Sequence, residues 1–101
     1  MKSWDRMTGL TFEWDEPKAD ANYRKHQISF EEARTVFGDP LSLTIADPLH
    51  SQDEDRYVDV GLSSQGRLLA VVYTERRARI RLINCRRATQ AERRAYEENR
   101  E

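Results

Sequence analysis

At 101 residues and 11.9 kDa, with 38% hydrophobic and 35% charged residues, the chain is expected to form one domain with a single core and an open surface site. Its longest apolar run, Leu68 to Tyr73, is only strand length and excludes a spanning helix. The net charge of −1 hides a division, since residues 1–55 carry 6 Lys+Arg against 12 Asp+Glu while residues 56–101 carry 11 against 6.

Residues 1–9 are expected to be a disordered leader, with no apolar signal segment in MKSWDRMTGL, and residues 10–101 a single domain. Together with a lone Cys85, which cannot close an internal disulfide, this reads as a reduced, cytoplasmic protein. Leu10 to Trp14 predicts a short strand. Asp15, with Glu16 and Pro17 behind it, predicts a capped helix to about His26, packed by a stripe of Ala19, Tyr23 and His26. Ser29 and Glu32 form a capping box for a second helix whose core face is Phe30, Ala33, Val36 and Phe37, ending at Gly38 and Asp39-Pro40. Alternation then predicts strands at Leu41–Ile45 and Val58–Leu62, a turn at Ser63–Gly66, and a central strand at Leu68–Tyr73. After a turn at Arg76–Ala78, Arg79 to Arg86 predicts a strand with Ile80 and Leu82 on one face and Arg79, Arg81, Ile83 and Cys85 on the other. Thr89 and Glu92 open a C-terminal helix, Gln90 to about Asn99. The order β-α-α-β-β-β-β-α implies an α+β domain with a four-stranded antiparallel meander packed by helices on one face.

Arg67 to Arg87 holds seven arginines and one acid, Glu75, and 14 of the 17 basic residues are Arg. A guanidinium meets phosphate as a planar fork, so an anionic partner, nucleic acid foremost, is expected for this segment. The other reading is a solvated hairpin whose arginines pair with the acidic first half. No paired-Cys motif, Gly-rich phosphate loop or nucleophile with an adjacent base is present. If the register allows, Arg67 and Tyr73 share the outward surface of Arg79 and Arg81, where guanidiniums and a phenol stabilise the charge of a phosphodiester transition state. The loop Asp47 to Asp55 offers His50 and Glu54 for proton transfer, and Asp47, His50, Asp53 and Glu54 as a metal alternative that matches no known ligand spacing. His26 reads as a packed helix-end residue.

Phe12 to Pro40, Asp47 to Gly61 and Gly66 to Arg87 together resemble the BrnT family. The resemblance rests on Trp14-Asp15, Lys25-His26, Phe30 with Ala33, Asp39-Pro40, His50 with Glu54 and Arg56, and Val72-Tyr73-Thr74 ahead of Arg76 and Arg81. Two positions depart from it: Gln27 replaces a glycine, and Asn84-Cys85 replaces Ser-Ala. The resemblance implies a RelE-like fold and the toxin of a type II toxin–antitoxin module, a metal-independent endoribonuclease without cofactor that arrests translation. It also implies a BrnA-type ribbon-helix-helix antitoxin whose complex with the toxin binds operator DNA. In that light Arg67, Arg76 and Arg81 are assigned as phosphate and transition-state ligands, Tyr73 as base positioner or stacking platform, and His50 with Glu54 as the proton-transfer pair. Lys18, Lys25, Arg79 and Arg86 widen the RNA-binding footprint. The rival reading is a noncatalytic nucleic-acid- or protein-binding module that uses the same arginine face.

Overall fold

The computed structural model describes residues 9–46 and 56–99. All but Gly9 of the expected leader, and the whole loop from Asp47 to Asp55, fall outside those residues. In chain order the elements are β1 (Thr11–Glu13), α1 (Glu16–His26), α2 (Phe30–Ala33), a 3₁₀ turn (Arg34–Gly38), β2 (Leu43–Ala46), β3 (Arg56–Leu62), β4 (Leu68–Arg76), β5 (Arg79–Arg87) and α3 (Gln90–Asn99).

The strands form one five-stranded sheet in the order β1-β5-β4-β3-β2, antiparallel throughout except for the parallel pair β1–β5. The expected sheet of four strands is therefore corrected to five. β1 is only three residues long, yet Phe12 points into the core, with its ring 5.2 Å from that of Phe37. Thr11 and Glu13 consequently take the opposite face.

The helices lie on both faces of the sheet rather than on one. Ile28, Phe30, Ala33 and Val36 pack with Leu69, Val71, Tyr73, Ile80 and Leu82. On the other face Val60 of β3 and Leu68 and Ala70 of β4 form a second cluster with Tyr96 of α3. A central strand that is apolar on both sides needs a cover on both, and Tyr96 supplies the second. Its hydroxyl donates to Asp39 Oδ2 at 2.6 Å, tying α3 to the chain just after the 3₁₀ turn.

β5 carries an irregularity that its sequence alternation does not announce. Tyr73 pairs with Leu82 but Val72 pairs with Asn84, so Ile83 is an extra residue on β5. The bulge shifts the parity, and Cys85 joins Ile80 and Leu82 in the core instead of facing outward with Arg81. Asn22 of α1 then completes the strand edge: its Oδ1 accepts from Cys85 N at 3.1 Å, and its Nδ2 donates to the carbonyls of Cys85 and Ile28. Asn22 is thus the buried residue of α1, whereas Tyr23, expected in its packing stripe, is 54% exposed.

The helix ends follow capping chemistry, with one substitution of partners. Asp15 caps α1 by accepting from Lys18 N at 3.1 Å. Thr89 and Glu92 form a reciprocal box at α3, each accepting from the other's backbone N–H. At α2 only half of the expected box forms. Ser29 Oγ accepts from Glu32 N, while the Glu32 carboxylate turns to Ser63 and Arg67. The second helix also tightens after one α-turn into 3₁₀ geometry, which carries Val36 into the core and Gly38 within the turn.

α1 ends at Gln27, held in the left-handed region at φ 58°, ψ 35°. This is the position at which the BrnT resemblance places glycine, and a residue with a Cβ is strained there. The Gln27 amide donates to Arg24 O at 3.0 Å and offsets part of that strain. Gln27→Gly is expected to stabilise the fold by about 0.5–1 kcal/mol, measured as an increased urea midpoint with an unchanged slope.

Candidate functional site

On the sheet face opposite α1 and α2, α3 covers the end around Val60, Leu68 and Ala70. Beyond it lies a row of directly paired residues, Arg56, Thr74, Arg81 and Glu13, running across β3, β4, β5 and β1. Neighbouring strands sit about 4.8 Å apart, so the row spans roughly 14 Å. A second row, Arg76, Arg79 and Thr11, follows towards the hairpin tip. There Arg77 and Ala78 both take positive φ, 49° and 68°, as a tight primed turn requires. Glu13, Arg76, Arg77 and Arg79 line an open groove of about 590 Å³.

Two side chains define the electrostatics of this face. Glu13 accepts from Arg81 Nη1 at 3.1 Å and from Arg79 Nη1 at 3.4 Å. The hydrogen bond from Arg81, supported by Arg79, holds the Glu13 carboxyl below the usual carboxylate range. Thr74, between Arg56 and Arg81, is fully buried, and its hydroxyl has no hydrogen-bond partner among the described residues. A buried hydroxyl without a partner is uncommon, and here the strand neighbours on both sides are arginines.

The structure separates the expected site residues into groups. Arg76, Arg79 and Arg81 share the open face. Lys18 and Lys25 line a shallower groove of about 180 Å³ with Ile83 and Asn84, two and three residues along β5 from Arg81. Arg86 lies on the same sheet face but nearer α3, forked onto the Glu92 carboxylate at 2.7 and 3.0 Å. His50 and Glu54 lie outside the described residues.

Arg67 and Tyr73 do not share this surface, and their expected placement is corrected. Tyr73 pairs with Leu82 and Tyr57 and so faces the core, 5% exposed, with the Phe37 ring 4.9 Å away. Burial, with the Asp59 charge beside it, pushes its phenol well above the usual value, which keeps it protonated and makes it a poor proton donor. Asp59 in turn is raised by burial and accepts from Thr44 Oγ1. Arg67 stands at the start of β4 and turns to α2, where its Nε donates to Glu32 Oε2 at 2.9 Å and its Nη2 to Glu32 Oε1 and Gln27 O. Ser63 Oγ donates to the same carboxylate at 2.7 Å.

Three residues of the face escaped the reading of pattern and charge. Glu13 was hidden because nothing in a three-residue strand tells which neighbour it will join. Thr74 reads as an ordinary β-branched strand residue until its pairing is known. Arg56 entered only through the resemblance, because it stands at the start of its strand, where alternation is hardest to read.

The ionised Glu32 is bound by Arg67 and Ser63, and the Arg67 hydrogen bond lowers its pKa. Stability from this pair is therefore present above the unfolded carboxyl value and is lost as pH falls through the lower folded one. Arg67→Ala strands a nearly buried carboxylate and is expected to cost about 2–3 kcal/mol at pH 7. The loss should shrink below about pH 4, where Glu32 is protonated in the unfolded chain. Urea unfolding at pH 7 and pH 3.5 measures both.

Among the described residues no group of three or more His, Cys, Asp or Glu is placed to hold a metal ion, and no helix is long and apolar enough to cross a membrane. Residues 14–92 match the family model described as the ribonuclease toxin, BrnT, of type II toxin–antitoxin systems. The fold is similar to that in the 1.1 Å crystal structure of the Brucella abortus ribonuclease toxin BrnT, with a TM-score of 0.61 over 80% of this chain and 99% of that one, at 20% identity. No curated protein matches the chain significantly by sequence.

Proposed function

We infer that this chain, which belongs to the BrnT family of ribonuclease toxins of type II toxin–antitoxin systems, cuts RNA on the arginine-bearing face of its sheet. The observation that carries the proposal is the clustering of Arg56, Arg76, Arg79 and Arg81 beside an open groove, opposite the main core. Cleavage of RNA by its own 2′-hydroxyl passes through a phosphorane whose equatorial oxygens gain charge. Guanidinium forks fixed by a sheet are suited to meet that charge, because their positions are set before the reaction begins.

In this proposal Arg76, Arg79 and Arg81 hold the scissile phosphate and the charge of its transition state. Lys18 and Lys25 extend the footprint along β5, and Arg86 marks its far end. The guanidiniums do the electrostatic work that a divalent cation does in other nucleases, so the reaction runs without metal. Cutting messenger RNA arrests translation, and the fold belongs with the RelE ribonucleases. The partner is a BrnA-type ribbon-helix-helix antitoxin whose complex with the toxin binds operator DNA. Acidic antitoxin side chains laid over the arginine face silence the toxin by occupying the RNA site.

The test is cleavage of an end-labelled RNA by purified protein in EDTA. The wild type is expected to cleave, and Arg81→Ala to lower the single-turnover rate at least about 100-fold. Because Arg81 lies on the open face, its melting temperature should move by less than about 3 °C. Full activity in a folded Arg81→Ala variant would remove the arginine face from the reaction.

A further inference from the structure

We propose that Glu13 is the general base of the cleavage, the carboxylate that takes the proton from the attacking 2′-hydroxyl. The inference rests on the ribonuclease reading above and adds a residue to it.

Three observations converge on Glu13. It stands at the end of the row Arg56, Thr74, Arg81, Glu13, directly paired with Arg81 across the parallel β1–β5 ladder. Among the described residues it is the one carboxylate lining the groove formed with Arg76, Arg77 and Arg79. Its two oxygens are each held by a different arginine, Oε2 by Arg81 and Oε1 by Arg79, so the group is oriented by the residues proposed to grip the phosphate.

The Arg79 and Arg81 forks locate where a phosphate goes, because both reach the groove side of the sheet beside Glu13. Glu13 is one strand spacing, roughly 5 Å, beyond Arg81 in the row and two, roughly 10 Å, beyond the buried Thr74. A phosphate gripped by these forks therefore presents its ribose 2′-oxygen on the side of the carboxylate. A phosphate that shares the Arg79 and Arg81 forks leaves Glu13 oriented by them and weakens the contacts that hold its pKa down. The carboxylate is ionised before RNA arrives and becomes more basic once RNA is seated.

The 2′-hydroxyl proton passes to Glu13, the O2′–P bond forms, and the P–O5′ bond breaks with its electron pair on O5′. The leaving oxygen takes a proton from water at the open groove. The products are a 2′,3′-cyclic phosphate and a 5′-hydroxyl, and Glu13 returns its proton to solvent.

Glu13→Gln keeps the shape and hydrogen-bonding reach of the side chain and removes its basicity. The experiment measures single-turnover cleavage of a short RNA, and separately the affinity for the same oligonucleotide with 2′-O-methyl groups, which cannot be cut. The proposal expects cleavage reduced at least about 100-fold, affinity unchanged or tighter because a negative charge has left the groove, and loss of the acid limb of the pH–rate profile in the residual activity. Cleavage within about threefold of wild type, or cleavage and affinity falling together, would overturn it. Glu13→Asp serves as a second variant, expected to recover part of the lost rate through a shortened base. Wild-type protein that binds the oligonucleotide and leaves RNA intact would overturn the ribonuclease reading itself. Wild type and Glu13→Gln that cleave alike would overturn only the role of Glu13.

Discussion

One extra residue in β5 sets which side chains this protein buries and which it shows. With Ile83 bulged, Ile80 and Leu82 on one side of the irregularity and Cys85 on the other all reach the same core. Without the bulge a strict two-residue period would turn Cys85 outward among the arginines and draw Asn84 into the apolar layer. The bulge is supported from both sides: Tyr73 and Leu82 pack beneath it, and Asn22 clamps the backbone of Cys85 beyond it. Arg79 and Arg81 stand outward as a consequence of where Ile80 and Leu82 must go.

The same residue type serves two chemistries according to the partner it meets. Arg67 turns its fork onto Glu32, which is 4% exposed, and joins α2 to the β3–β4 turn. The pair is part of the interior, and its removal leaves an uncompensated charge. Arg79 and Arg81 meet Glu13 at the surface, where solvent screens the attraction and the pairing can be exchanged for a phosphate. Burial of the opposing carboxylate therefore divides the arginines into one locked in the interior and others whose pairing is open to exchange. Glu32 is fixed by Ser63 as well as Arg67, whereas Glu13 faces the groove.

Much of the fold was legible because its signals are local. Asp15, Thr89 with Glu92, and the Ser63–Gly66 turn each act within four residues, and each forms as the sequence implies. The outer strands of the meander were legible from alternation and the central one from its unbroken apolar run, Leu68 to Tyr73. What was not legible depends on distant pairing. The parallel docking of β1 onto β5 and the turning of Glu32 away from its own helix towards Arg67 are decided by partners 30 or more positions away, and the bulge at Ile83 by the register with Val72 and Tyr73 and by the distant Asn22. The site divides in the same way. Arg76, Arg79 and Arg81 follow from the parity of Ile80 and Leu82. Tyr73 was misplaced because a strand buried on both sides gives no parity, and Glu13 went unseen because its neighbours come from the far end of the chain.

The central claim is that RNA is held by the sheet face bearing Glu13, Thr74, Arg79 and Arg81. An amide chemical-shift titration with uncleavable 2′-O-methyl RNA tests it most directly. The account predicts that the largest shifts fall on Glu13 and on Thr74 through Arg81, with weaker ones at Lys18, Lys25 and Asn84, and little change around Glu32, Ser63 and Arg67. Shifts concentrated at Ser63 to Arg67 and along α2, with the β4–β5 hairpin unmoved, would contradict it.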